Sequence, residues 1–353
     1  MGTTTPHSAL RTPHSPLSQR VLIIGPSNIG DAILAGGVVA AVRAQHPDAH
    51  LTLVVGERAQ ALFAGDPRIQ TLVNADAFSS PVGRLRLAWS LWRYQPQVIV
   101  DLRHTLYPLL LAPFTFWRFL RQPPKDLQHM RERHLWKLRT QVPATAESAS
   151  SNGALWVSPK DTAHVEQLLK RWRLDTATPL VVICPGARSH IKRWTAEGFA
   201  ALADRLITEA STQVVFSGEP DEEAVVEEVM TAMRQPAHSA VGLTTIRQAA
   251  ALMQRARLVI TNDSASLHLA SALKVPTVAI FGPTDADKYG PTAPKHRTIR
   301  RHLFCSPCEQ ALCRFNHECM RFISADEVYA AARQLLEAGS RKLEAGKDKP
   351  RHA

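Results

Sequence analysis

No apolar run in the chain reaches the roughly 18 residues that a membrane-crossing helix needs. The first 19 of its 353 residues are rich in Thr, Ser, Pro and His and lack an apolar core segment. They are expected to be a disordered tail and not a signal peptide. No glycine-bracketed aromatic motif of an RNA-binding fold occurs, and no Cys/His spacing of a zinc finger, so nucleic acid is not an expected partner. No nucleophile motif is evident either. Acidic residues are scarce: 31 Asp and Glu stand against 42 Lys and Arg, a net charge of +11. The deficit is local. Between Pro81 and Thr140 there are eleven Lys or Arg and three Asp or Glu. Such an excess points to a phosphorylated substrate or an anionic membrane face, or else to a solvated basic face.

Length allows two domains, and 45% hydrophobic content is that of a globular protein. The most informative stretch is Arg257–Pro283. Leu258–Ile260 has the size of a buried strand, and Thr261-Asn262-Asp263-Ser264 has the residue types of a helix N-cap. Leu267, Ala270 and Leu273 recur at helical spacing, and Val275–Phe281 is a second strand. This is one strand–loop–helix–strand unit of an α/β sheet. Its loop offers backbone N–H groups and a positive helix end to an anion such as a diphosphate. His268 lies about one helical turn past Ser264, within reach of the same anion. The plainer reading is that Asp263 and Ser264 only cap the helix.

The rest of the chain alternates in the same way. Strands are expected at Arg20–Gly25, His50–Val55, Ile69–Val73 and Gln97–Asp101. Helical stretches are expected after Gly30 to His46, and at Ala59–Gly65, Val82–Tyr94 and Thr105–Leu120. Residues 143–153 read as a loop and Lys160–Arg173 as a helix. The pattern restarts with a strand at Pro179–Cys184, a helix from Thr195, a strand at Thr212–Ser217 and a helix opened by residues 218–222. Thr245–Arg255 is an amphipathic helix and Ser324–Leu336 a closing one. The expected divisions are a tail at 1–19, domains at 20–175 and 176–323, a closing helix at 324–339 and a charged tail at 340–353.

Two turns carry chemistry. The turn from Gly25 to Gly30 has P-loop spacing, yet Asp31-Ala32 stands where a P-loop has Lys-Ser/Thr. It delivers a carboxylate to the top of the sheet, where a general base can sit, unless Asp31 is only a helix N-terminal acid. Lys192 lies in the matching turn of the second half. A cation there can neutralise a leaving diphosphate, unless it is a surface lysine.

Four pieces, from about Val21 to Leu336, carry a resemblance. They are the Gly30-Asp31 turn with HPDAHLTLVV; PGA…KRW at 185–194; SGEPDEE at 217–223; and TNDSASLHLA at 261–270 with FGPTD at 281–285. Together they resemble the ADP-heptose:lipopolysaccharide heptosyltransferases, glycosyltransferase family nine. The resemblance implies the GT-B fold: α/β, with two Rossmann-like parallel-sheet domains facing a central cleft. It implies an inverting transfer of heptose from ADP-L-glycero-D-manno-heptose to the Kdo-lipid A region of the lipopolysaccharide inner core, with no cofactor required. Asp31 would be the base and Lys192 would stabilise the departing diphosphate. Glu222 would hold the ribose, and Asp263, Ser264, Ala265 and His268 would bind the rest of the donor. The expected partners are the nucleotide sugar, the lipopolysaccharide-core acceptor and the membrane surface. The expected location is cytoplasmic, peripheral at the inner face of the inner membrane. The family usually has Gly where this chain has Ala265, whose methyl changes the donor pocket. Two other readings are transfer of a different sugar for a cell-surface glycan, and a non-catalytic nucleotide- or metal-binding protein on the same scaffold.

Cys305, Cys308, Cys313 and Cys319 form a cluster, with His317 as a further candidate ligand. The spacing permits a structural zinc site or an iron–sulfur cluster, and equally reduced thiols or a redox-dependent disulfide. Resembling proteins often carry such a segment, which implies a structural clip. Thr105–Leu120, apolar and aromatic, either dips into a membrane interface or packs within the first domain.

Overall fold

The central strands of this protein are short and mostly apolar because both of their faces are covered. Val21–Ile24, Leu180–Cys184, Leu258–Asn262 and Thr277–Phe281 are buried along their whole length. That pattern belongs to parallel strands sandwiched by helices. The computed structural model describes residues 19–142, 155–292 and 294–347, with side chains described as far as residue 338. Most of the expected N-terminal tail, the loop at 143–153 and the last six residues lie outside the described residues. The chain divides into two compact units at Trp156/Val157. No described helix is long and apolar enough to cross a membrane.

The first unit begins with β1 (Arg20–Ile24), α1 (Ile29–Gln45), β2 (His50–Val55) and α2 (Glu57–Phe63). It continues with β3 (Thr71–Asn74), α3 (Pro81–Tyr94) and β4 (Val98–Asp101), then α4 (Tyr107–Leu111), α5 (Trp117–Leu120) and α6 (Met130–Gln141). Its described strands run in the order β3-β2-β1-β4, all parallel. The expected helical stretch at Thr105–Leu120 is broken. Pro108 opens α4 and Pro113 opens a 3-10 turn after it, because proline cannot donate within a helix interior.

Helix α6 has no counterpart in the sequence reading. Its inward face is His134, Leu135, Lys137, Leu138 and Gln141, so polar residues hide its apolar period. Two of them are used at the end of β4. The Gln141 side chain receives the Asp101 N–H at 2.8 Å and donates to the Asp101 carbonyl at 3.0 Å. Lys137 Nζ donates to the Leu102 carbonyl at 2.7 Å. The Asp101 carboxylate accepts from Thr105 N–H and O–H at 2.6 and 2.8 Å. So α6, packed on α1 and β4, fixes the upper edge of this sheet.

The second unit holds α7 (Pro159–Arg171), β5 (Leu180–Cys184), α8 (Ala196–Thr208), β6 (Gln213–Phe216) and α9 (Glu223–Ala232). Then come β7 (His238–Ser239), α10 (Ile246–Arg255), β8 (Leu258–Asn262), α11 (Ala265–Ala272), β9 (Thr277–Phe281) and α12 (Ala286–Tyr289). β10 (His296–Arg300), α13 (Glu318–Arg321) and α14 (Ala325–Lys347) complete it. Its described strands run β10-β9-β8-β5-β6-β7, all parallel. Sheet growth reverses between β5 and β8, as in doubly wound nucleotide-binding sheets.

Two expected boundaries shift. The division near residues 174–178 falls before α7, because α7 packs on α10 of the second unit. Arg255 pairs with Glu166 at 2.9 Å, and His164 meets the Leu243 carbonyl at 2.9 Å. The expected charged tail from residue 340 is helical to Lys347, since α14 runs on.

His134 is 3% exposed, and neither ring nitrogen has a hydrogen-bond partner among the described residues. Burial, then the nearby Lys137 and Arg133 charges, push its pKa down to about 4. A histidine depressed in this way adds stability above its unfolded value and loses it as pH falls through the window between the two. Acid should therefore destabilise the first unit between pH 6.5 and about 4, by roughly 3 kcal/mol at full protonation. His134→Leu should flatten that limb in urea titrations at stepped pH; an unchanged pH profile would remove His134 as its cause.

Candidate functional site

Because β5, β6 and β8 are parallel neighbours, their carboxyl ends deliver three loops to one edge of the second sheet. The loop after β5 is held in shape by its own backbone. Lys192 N–H donates to the Ser189 carbonyl at 3.0 Å, closing a 3-10 turn over His190–Lys192. Ile191 is buried beneath it, and Arg193 Nε donates to the Ala187 carbonyl at 2.8 Å. Asn262, fully buried at the end of β8, joins this loop to its own. Its side chain donates to the Pro185 carbonyl at 2.7 Å and accepts from Trp194 N–H at 3.1 Å. Trp194 Nε1 donates to the Ile323 carbonyl, so the indole is satisfied in the core.

Lys192 and Asp263 meet here. Nζ lies 2.7 Å from Oδ2, with the lysine side chain 30% exposed and the aspartate 5%. Thr284, just past β9, donates its hydroxyl to the same oxygen at 2.6 Å. A carboxylate facing a diphosphate would repel it. Paired in this way, Asp263 instead holds the ammonium at the sheet edge, half in reach of solvent. Sequence reasoning gave Asp263 direct donor contact and did not single out Thr284. The signal was there: FGPTD follows β9, the strand beside β8.

Ser264 occupies the N-cap position of α11, but its side chain makes no capping bond. Its Oγ lies 3.2 Å from Thr261 Oγ1. The plainer reading, that Asp263 and Ser264 serve as caps, does not describe their bonds. Ala265 opens the helix, and His268, 7% exposed, lies one turn further along it. The first N–H groups of α11 and the Lys192 ammonium are thus brought to adjoining strand ends, an arrangement that suits an anion.

Glu222 ends the 3-10 turn after β6. Its carboxylate accepts the Glu219 N–H at 2.9 Å as half of a capping box. It also lies against Gly186. A Cβ built on Gly186 would come within 2.1 Å of the Glu222 carboxyl carbon, so any larger residue there must push the Glu222 carboxylate aside. Burial, ahead of the Glu219 and Asp221 charges, raises the Glu222 pKa, while Glu219 N–H and Arg193 oppose the rise. Asp31 belongs to the first unit, in the first turn of α1, which follows β1.

The cysteine segment braces this edge. Cys308 and Glu309 N–H groups both donate to the Pro283 carbonyl, and Ser306 Oγ donates to Gly282. The His317 ring meets His190 edge-on at 5.6 Å. Cys305, Cys308, Cys313 and Cys319 line one cavity together with Ile191 and Pro283. All four are free thiols, and burial with the nearby thiols raises Cys319 to about 11. No three Cys, His, Asp or Glu side chains among the described residues are arranged to hold a metal ion. As placed, the four thiols do not converge as a tetrahedral zinc site, one of the alternatives their spacing permits, would need.

A carboxyl raised by burial weakens the folded state as pH rises from its unfolded value toward its folded one. Glu222→Gln keeps the bond from Glu219 and removes that charge. The ligand-free variant should melt higher than the parent at neutral pH and equal to it in acid; an equal or lower melting temperature at neutral pH would contradict this.

Comparison with known proteins gives the family and the fold. The sequence model of glycosyltransferase family 9 (heptosyltransferase) matches residues 117–318. Lipooligosaccharide heptosyltransferase 2 of Haemophilus influenzae is 26% identical over 313 residues, covering 79% of this chain and 88% of the relative. A family 9 glycosyl transferase structure from Veillonella parvula superposes with a TM-score of 0.78 at 23% identity, covering 92% of this chain and 99% of that one. The structure of E. coli ADP-heptose LPS heptosyltransferase II gives 0.70 at 22% identity, over 91% and 100%. The two parallel sheets are those of the GT-B fold. The family pattern spans more than half of the residues, and the chain belongs to glycosyltransferase family 9, the heptosyltransferases.

Proposed function

We propose that this heptosyltransferase moves heptose from ADP-heptose to the inner core of lipopolysaccharide, with inversion. One observation carries the reading. A lysine paired with Asp263, whose carboxylate also accepts from Thr284, stands at the β5–β8 switch beside the N-terminus of α11. That is a cradle for a diphosphate leaving group. The names of the relatives support the donor and the glycan: ADP-heptose, lipooligosaccharide and LPS.

In this reading Asp31 takes the proton of the acceptor hydroxyl. The freed oxygen attacks the anomeric carbon of heptose, and the bond from that carbon to phosphate breaks. The electron pair leaves on ADP, where Lys192 and the α11 N–H groups of Ser264 and Ala265 offset its charge. His268 serves the same diphosphate and sugar. Glu222, beside Gly186, accepts hydrogen bonds from the ribose hydroxyls. The positive charge at the diphosphate comes from protein groups, so the proposal routes no step through a metal ion. The basic excess of residues 81–140 suits a phosphorylated or Kdo-bearing acceptor. The work would take place at the cytoplasmic face of the inner membrane.

Asp31→Asn should lower turnover about 10²–10⁴-fold and leave ADP affinity unchanged. Activity near the parent level would remove Asp31 as the base. ADP should raise the melting temperature, and UDP and GDP should not; the reverse pattern would overturn the donor. Gly186→Ala, which displaces Glu222, should weaken ADP binding in calorimetry by about ten-fold or more, and unaltered binding would take Glu222 off the ribose.

A further inference from the structure

Helix α3 is apolar on two sides. Leu87, Leu91 and Tyr94 face the core. Val82, Leu85, Trp89 and Trp92 form a second stripe at helical spacing, and it faces outward. Trp89 is 56% exposed and Trp92 52%. Core packing does not explain this stripe, since the helix is already anchored by its other face.

Helix α4 packs beside α3, with Tyr107 and Leu111 turned toward the same core. Its outward residues, and those of the segment after it, are again large and apolar. Phe114, at the corner made by Pro113, is 95% exposed, and Trp117 is 56% exposed. Of the fifteen large hydrophobics exposed among the described residues, ten lie between Val82 and Leu120. Scattered exposure is normal, but concentration of this kind marks a surface with a partner.

The charge around the patch selects the partner. From residue 77 to residue 125 the only acidic residue is Asp101, which is buried, against seven Lys or Arg. Arg93 lies over the Trp89 ring at 4.8 Å and Arg118 over Trp117 at 5.5 Å. Tryptophan with arginine over it is the pairing that sits at a lipid headgroup boundary, ring toward the acyl chains and cation toward phosphate. A second copy of the same face is disfavoured, because symmetric pairing would set these cations against each other.

We propose that the outer face of α3 and the α4–α5 segment dock on an anionic lipid bilayer, with Phe114 and the exposed tryptophans entering the interface. The proposed lipid-borne acceptor gives the surface a purpose. The full chain is floated with vesicles of phosphatidylcholine alone and of phosphatidylcholine mixed with phosphatidylglycerol. It should partition onto the mixed vesicles only, less so at high salt, and brominated lipid should quench its tryptophan fluorescence. Phe114→Ser with Trp117→Ser should lower partitioning about ten-fold, as should Arg86→Glu with Arg93→Glu, with circular dichroism and melting unchanged in both. Failure of the parent to bind mixed vesicles, or equal binding by both folded variants, overturns the proposal. So does a concentration-dependent dimer in sedimentation that the serine variant abolishes. Vesicle binding is read without sugar transfer, so a wrong donor or base assignment leaves this result untouched.

Discussion

The gap between β5 and β8 is the constraint from which the second unit takes its working edge. At this switch point the two neighbouring strands send their following segments away on opposite faces, and the loops between part at the top. Here the parting is bridged twice. Asn262 ties the two loops from below through Pro185 and Trp194, and Lys192 meets Asp263 above it. The lower bridge is buried and neutral. The upper one is charged and partly open, so an anion can compete for the lysine without disturbing the tie beneath.

The same edge shows why an acid is tolerated near a diphosphate cradle. Asp263 spends its outward oxygen on Lys192 and Thr284. Glu222 is set back against Gly186, where burial lifts its pKa. Neither carboxylate presents an unshared charge to the space beside α11. The cysteine segment contributes from the far side of β9. It grips Gly282 and Pro283, the residues just before Thr284, and touches His190 and Ile191, the residues just before Lys192. It is a brace for two loops at once, whatever the state of its thiols.

Most of the sheet was legible from sequence because buried parallel strands read as apolar runs. HLTLVV and LVVIC stand out from what surrounds them, and β2 and β5 fall where those runs lie. The edge strands of the second sheet did not. β7 has two residues and β10 is HRTIR, with no apolar run to find. Helix α6 was hidden because it turns His134, Lys137 and Gln141 inward. At the site, Lys192, Glu222 and Asp263 could be named from motifs, since a turn after a strand shows in sequence. Their mutual arrangement could not. That Asp263 grips Lys192, and that Thr284 completes the pair, depends on strand order, which a linear motif does not encode. The outward stripe on α3 was missed for a related reason: an apolar period says that a helix is amphipathic, not that it has two apolar sides.

Helix α14 closes the core of the second unit. Val328, Tyr329, Ala332 and Leu335 are buried against α8 and the strands β8, β9 and β10. The layer that begins with α7 is therefore sealed only by the last of its described helices. The first unit, by contrast, draws its described elements from residues no later than 142. During synthesis the first sheet can be covered while the second still shows bare aliphatic strands, and those strands stay exposed until the residues around 336 have cleared the ribosome. The chain's most hazardous interval for aggregation thus lies between the emergence of β5 and that of α14.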